Sequence, residues 1–94
     1  MKIVLSLQAQ QELDDAISYY NLQQENLGNE FKTLIDNTIK NIQNSPLLYP
    51  IIKKPVHRVV TRRFPYSIFY IIDNIGDIIV ILSIAHQHRK PFYT

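Results

Sequence analysis

The chain has 94 residues and contains no cysteine, only two glycines and 19% charged residues. Without cysteine, disulfide scaffolds, zinc knuckles, iron-sulfur clusters and thiol catalysis are excluded, and an ordinary reducing cytoplasm fits. The two glycines, Gly28 and Gly76, stand alone, so there is no glycine loop to cradle a phosphate, and no His pair has the helical spacing of a metalloprotease. Long apolar runs are missing as well. Ile78 to Leu82, the longest after the N-terminus, is a quarter of the about 20 residues a bilayer span requires. Met1 to Leu7 carries one Lys and an apolar stretch too short for a signal peptide, so a soluble cytoplasmic protein with no membrane association is expected.

What is present is enough for one core. With 46% apolar residues and ten aromatics, a chain of this length can bury roughly two-thirds of its unfolded surface. One domain over residues 1–94 is expected. The formal charge of +2 is unevenly spread. Residues 1–50 carry three Lys against six Asp and Glu, 3 − 6 = −3, whereas residues 51–94 carry seven Lys and Arg against two Asp, 7 − 2 = +5. A basic half points to an anionic partner or an acidic protein surface, and equally to a solvated basic rim.

Ile3-Val4-Leu5 reads as a short strand, and the Ser6 hydroxyl that follows can cap a helix. Ala9, Leu13, Ala16, Ile17 and Tyr20 form one helical stripe, with Gln10, Glu12, Asp14 and Asp15 largely off it. The segment Glu25-Asn26-Leu27-Gly28, which holds one of the two glycines, is a good place for the chain to reverse, and Phe31, Leu34, Ile35, Thr38, Ile39 and Ile42 form a second stripe that ends at Ser45-Pro46. The stretch from Pro46 to Pro55 has no clear period and reads as a loop. Val56 to Arg63 alternates as a strand, Tyr66 to Ile72 is a second, and Asp73 to Asp77 supplies hairpin turn chemistry. Ile78 to Ala85 is apolar almost throughout, as a central strand covered on both faces should be. The expected fold is therefore α+β in the order β-α-α-β-β-β, with a helical hairpin packed on a mainly antiparallel sheet. Between Phe64 and Tyr66, a trans Pro65 bond is expected.

Two groups of residues carry candidate chemistry. His86 and His88 have the i, i+2 spacing that on a strand aims both side chains one way, but nothing forces a third ligand near them. No metal and no small-molecule cofactor is expected. The basic residues make the stronger case: Arg58 and Arg62 on one strand face would stand roughly 13 Å apart, a spacing suited to successive phosphates or acidic side chains. Arg63 would point to the other face unless the Phe64-Pro65 break turns it, and Arg89, Lys90, Phe92 and Tyr93 follow the last strand. Phe92 and Tyr93 suit a nucleic acid, a protein hot spot, or plain anchoring of the tail.

The element order, together with Arg58, Arg62-Arg63-Phe64-Pro65-Tyr66-Ser67-Ile68-Phe69-Tyr70 and Ile81 to Pro91, resembles the RelE/ParE superfamily of type II toxin-antitoxin toxins over essentially the whole chain. The resemblance implies a bacterial toxin held inactive by a cognate antitoxin. RelE-like members cut mRNA in the ribosome without metal, which requires a base, an acid and several cations around the phosphorane. For that alternative the residues would be Arg58, Arg62, His86, His88, Arg89 and Tyr93, but Val60, Ser67 and Gln87 occupy positions where those members carry cations. Losing even one donor to a transition state costs about 10² to 10³ in rate. ParE-like members are thought to poison DNA gyrase by binding it, and Phe64-Pro65-Tyr66 with His86, Arg89 and Pro91 looks more like that branch. The resemblance then implies recognition rather than catalysis, with Arg58, Arg62, Arg63, Arg89, Lys90 and Tyr93 as contacts to target or antitoxin. A degenerate member that only binds antitoxin is the third alternative.

Overall fold

The computed structural model describes residues 1–88. Strand β1 (Lys2–Leu5) leads into helices α1 (Leu7–Gln23) and α2 (Leu27–Asn44), followed by strands β2 (Ile51–Lys53), β3 (Val56–Val60), β4 (Tyr66–Asp73) and β5 (Ile78–His86). The five strands lie in the order β1-β5-β4-β3-β2. Strand β1 runs parallel to β5, with Ile3 opposite Ile79, while every other pairing is antiparallel. The expected α+β architecture is thus present with one strand more than the sequence suggested. Strand β2 falls inside the stretch read as a loop, pairing Ile51 with His57 and Lys53 with Val56 across a turn that holds the cis bond Lys54–Pro55. All three of its residues are exposed, so no alternation of burial marks it in the sequence. Phe64–Pro65 is trans, Lys54–Pro55 being the one cis bond among the described residues.

Both helices cover one face of the sheet. The Ser6 hydroxyl accepts the N–H of Ala9 at 2.9 Å, as a helix cap, and donates to the carbonyl of Leu82 at 2.9 Å, which ties the start of α1 to β5. Below the helices lie Ala9, Leu13 and Ala16 of α1 and Phe31, Ile35 and Ile42 of α2, packed on Ile68, Tyr70, Ile79 and Ile81. The reversal between the helices is made by Asn26, in the left-handed region at φ 66°, and not by Gly28, which sits buried in the first turn of α2. Glycine is needed there for another reason: a Cβ would stand 2.2 Å from the Ile17 carbonyl oxygen and 2.7 Å from Asn21. The helices cross where only a hydrogen fits.

Two expectations about the strands need correction. Strand β3 stops at Val60 rather than Arg63, because the Thr61 hydroxyl turns the chain by donating to the carbonyls of Phe64 and Tyr66. Strand β5 is central in position but is not equally buried on its two sides: Ile79 and Ile81 are fully buried, while Ile78, Val80 and Leu82 are half-buried. A bulge contributes, since Phe69 faces Ser83 while Tyr70 faces Ile81 and Leu82 is left over. It shifts the alternation so that Ile81, Ile84 and His86 fall on the helix side together. Among the described residues no helix is long and apolar enough to cross a membrane.

Candidate functional site

Cross-strand partners share a face of the sheet, so the register assigns each candidate a side. Arg58 lies opposite Phe69, and its Nε donates to the Ser67 hydroxyl at 3.0 Å. Tyr66, which packs on Phe31 of α2, lies opposite His86. Residues 66 and 67 alternate, so Arg58 stands on the helix-free face and His86 on the helix-covered one. The sheet itself separates these two groups of the alternative nuclease set.

The other two arginines leave the strand. With β3 ending at Val60, Arg62 and Arg63 lie in a bend, and Arg58 and Arg62 do not share a strand face as expected. Arg62 is exposed and has no hydrogen-bond or ion-pair partner among the described residues. Arg63 reaches the helical layer, where it pairs with Glu30 of α2 at 2.7 Å while its guanidinium lies 5.2 Å over the Phe64 ring. Gln87 closes the bend from the end of β5: its N–H donates to the Pro65 carbonyl and its side-chain amide to the carbonyls of Thr61 and Tyr66. Ser67 and Gln87, read from the sequence as departures from a cation pattern, therefore act as a hydrogen-bond acceptor for Arg58 and as a clamp on the loop.

His86 and His88 border a cleft of about 540 Å³ between α1 and the end of β5. Its α1 wall consists of Glu12, Asp15, Ala16, Tyr19 and Tyr20, and the sheet adds Tyr66 and Ile84. Glu12 is fixed by two donors on one oxygen, the Ser83 hydroxyl at 2.8 Å and the Ile84 N–H at 3.0 Å. The rings make a continuous wall: Tyr19 on Tyr20 at 5.3 Å, Tyr20 near Tyr66 at 6.2 Å, Tyr66 on His86 at 5.3 Å, and His86 near His88 at 5.1 Å. One imidazole is already engaged, as Nδ1 of His86 accepts the N–H of His88. No group of three or more His, Cys, Asp or Glu side chains among the described residues could hold a metal ion. Sequence reasoning placed Glu12 and Asp15 only as lying largely off the apolar stripe of α1 and gave them no role. The i, i+3, i+7 spacing of Glu12, Asp15 and Tyr19 was the available signal, since it puts all three on one side of α1.

On the helix-covered face, His57 is buried and stacks on its cross-strand partner Tyr70 with ring centres 4.8 Å apart. Its Nδ1 meets the Tyr49 carbonyl at 2.8 Å, and the Tyr70 hydroxyl donates to the Pro46 carbonyl at 2.7 Å. These two bonds hold the connection from α2 to β2. Burial, with the Tyr49 phenol as a second cause, pushes the Tyr70 hydroxyl up to about 12 from 10.0. Of the remaining candidates, Arg89, Lys90 and Tyr93 lie outside the described residues.

Comparison with known proteins agrees with this architecture. The family described as ParE toxin of type II toxin-antitoxin system, parDE, matches residues 3–91. No curated protein matches the chain. Ten chains of solved structures do, among them one from the chromosomal ParDE TA system from P. aeruginosa, which superposes with a TM-score of 0.79 over 92% of this chain and 95% of that one, at 20% sequence identity. At that identity the likeness speaks to the fold.

Proposed function

The chain belongs to the ParE toxin family of type II toxin-antitoxin systems, and from that premise we propose that it arrests growth in the cytoplasm by binding DNA gyrase and that a cognate antitoxin neutralises it. The observation that carries this reading over RNA cleavage is the electrostatics of the histidine cleft. An in-line attack on a phosphodiester needs cations around the phosphorane, whereas the described lining of the cleft holds the carboxylates of Glu12 and Asp15 and neither Lys nor Arg. Arg58 is on the other side of the sheet, and Ser67 and Gln87 are committed to structural bonds. Recognition by a basic surface makes no such demand. Arg58, Arg62, Arg63, Arg89, Lys90 and Tyr93 are its proposed contacts to target or antitoxin.

Expression of the chain without its antitoxin separates the readings. Loss of gyrase supercoiling with intact translated mRNA is the expected result, and co-expression of the neighbouring antitoxin restores growth. Cuts within translated codons, with supercoiling untouched, would replace this reading by the ribosome-dependent endoribonuclease. Harmless expression would favour a member that only binds antitoxin. For the contacts, Arg62→Ala and Arg89→Ala relieve toxicity with the melting temperature unchanged within a few degrees; toxicity at the parent level removes both from the surface.

A further inference from the structure

The cleft beside α1 has a lining that the proposed recognition of gyrase does not use. We propose that it is a binding site for an organic cation, a protonated amine or a guanidinium, supplied by a free polyamine or by a Lys or Arg side chain of a partner protein. Its volume of about 540 Å³ falls within the range of small-ligand sites. Glu12 is aimed in advance, because both donors from β5 bind Oε1 while Oε2 makes no hydrogen bond among the described residues. Asp15 lies one turn further along the same side of α1, exposed, with only the Gln11 side chain donating to it. The rings of Tyr19, Tyr20 and Tyr66 border the same space. Aromatic faces attract cations, and the two carboxylates add a full charge each. An anion would be repelled by both acids. A neutral apolar ligand would cover them without replacing their water, leaving charged groups desolvated and unpaired.

Calorimetric titration of the full chain with spermidine and, separately, with N-acetyl-arginine amide tests this, with N-acetyl-alanine amide as the neutral control. Saturable binding of at least one cation, and none of the control, is expected. Asp15→Asn should weaken it about tenfold, as the loss of a charge-assisted bond does. Tyr19→Leu should weaken it about fivefold, through loss of a cation–ring contact. Both residues are exposed, so the variants keep the fold, and an unchanged melting temperature confirms it. Binding of spermidine alone assigns the site to a free polyamine, whereas binding of the arginine amide assigns it to a partner's side chain. No saturable binding of either cation, equal binding of the neutral amide, or binding that both variants leave intact overturns the proposal. None of these outcomes bears on gyrase, so the two readings stand or fall separately.

Discussion

The helix-covered and helix-free sides of the sheet are built on different principles although they share the same strands. On the covered side, contacts are dry and close: Phe31, Ile35, Ile68, Tyr70 and Ile81 are essentially inaccessible, and two helices meet over a glycine hydrogen. On the free side and in the adjoining bend, the basic residues make few bonds. Arg58 has one to a hydroxyl, Arg63 one exposed ion pair, and Arg62 none among the described residues. Buried packing carries stability because each lost contact leaves a void or a clash, whereas exposed charges are screened and contribute little. The difference teaches that Arg58, Arg62 and Arg63, the described basic residues proposed for recognition, are nearly free of structural duty. They can be replaced one at a time without unfolding the protein.

The sharpest way to test that division is to disturb the covered side by a single methyl group. Gly28→Ala places a Cβ against the Ile17 carbonyl, a backbone atom that cannot step aside, so the helices must separate. Overpacking of this kind costs about 3 kcal/mol, a fall of about 15 °C in Tm for a chain of this size. Gly76→Ala is the control in the β4–β5 turn. There the nearest atom is the end of the Asp73 side chain at 3.0 Å, and Gly76 does not need a positive φ. A change within about 0.5 kcal/mol is expected by thermal melting, as at most surface sites. Equal losses in the two variants would refute the account of Gly28 as a crossing point.

That position also shows where the sequence could be read and where it could not. The helices were legible because Ala9, Leu13, Ala16 and then Phe31, Ile35, Ile42 repeat with the helical period and do face the core. The β4–β5 hairpin was legible because Asp73 does accept the N–H groups of Ile75 and Gly76 in its turn. The reversal was legible as the segment Glu25 to Gly28, where the chain does turn, but not residue by residue: a lone glycine carries the same signal for a turn as for a close approach, and within the segment Asn26 takes the left-handed position while Gly28 makes the close approach. Strand β2 was invisible because edge pairing depends on backbone groups, which every residue has. The cleft was missed because Glu12 meets Ser83, a contact across 71 positions, and no local pattern encodes it.

An intermediate effect is expected at Tyr70, where the covered side meets the α2–β2 connection. Tyr70→Phe keeps the buried ring and its stacking on His57 but removes the bond to the Pro46 carbonyl, costing about 1 kcal/mol at neutral pH. The pH dependence gives a separate signature. In the unfolded chain the phenol ionises near 10.0, while in the fold burial holds its proton to about 12. Its contribution is therefore complete below pH 10 and is lost as the pH rises from about 10 to about 12. Denaturant titrations across that window should show stability falling in the parent and a shallower fall in Tyr70→Phe. Parallel curves would mean that Tyr70 is not held neutral by the fold.

The smallest effect is expected at Arg63, which is the one basic residue of the bend that touches the helical layer and so could blur the division between the two sides. Its ion pair with Glu30 is 2.7 Å long, but both side chains are roughly half exposed, at 62% and 44%. At such sites Coulomb attraction is screened, and holding two long side chains in place costs rotamer entropy, leaving about 0.5 kcal/mol or less. A double-mutant cycle over Arg63→Ala and Glu30→Gln, read by chemical denaturation, should give a coupling no larger than that. The Phe64 ring beneath the guanidinium adds a similar amount at most, since cation–ring contacts at exposed sites are worth about 0.5 to 1 kcal/mol. A coupling above about 1.5 kcal/mol would place Arg63 in the scaffold rather than on the recognition surface. Any loss of toxicity in Arg63→Ala would then have to be read as loosening of the bend that Thr61 and Gln87 clamp, not as loss of a contact.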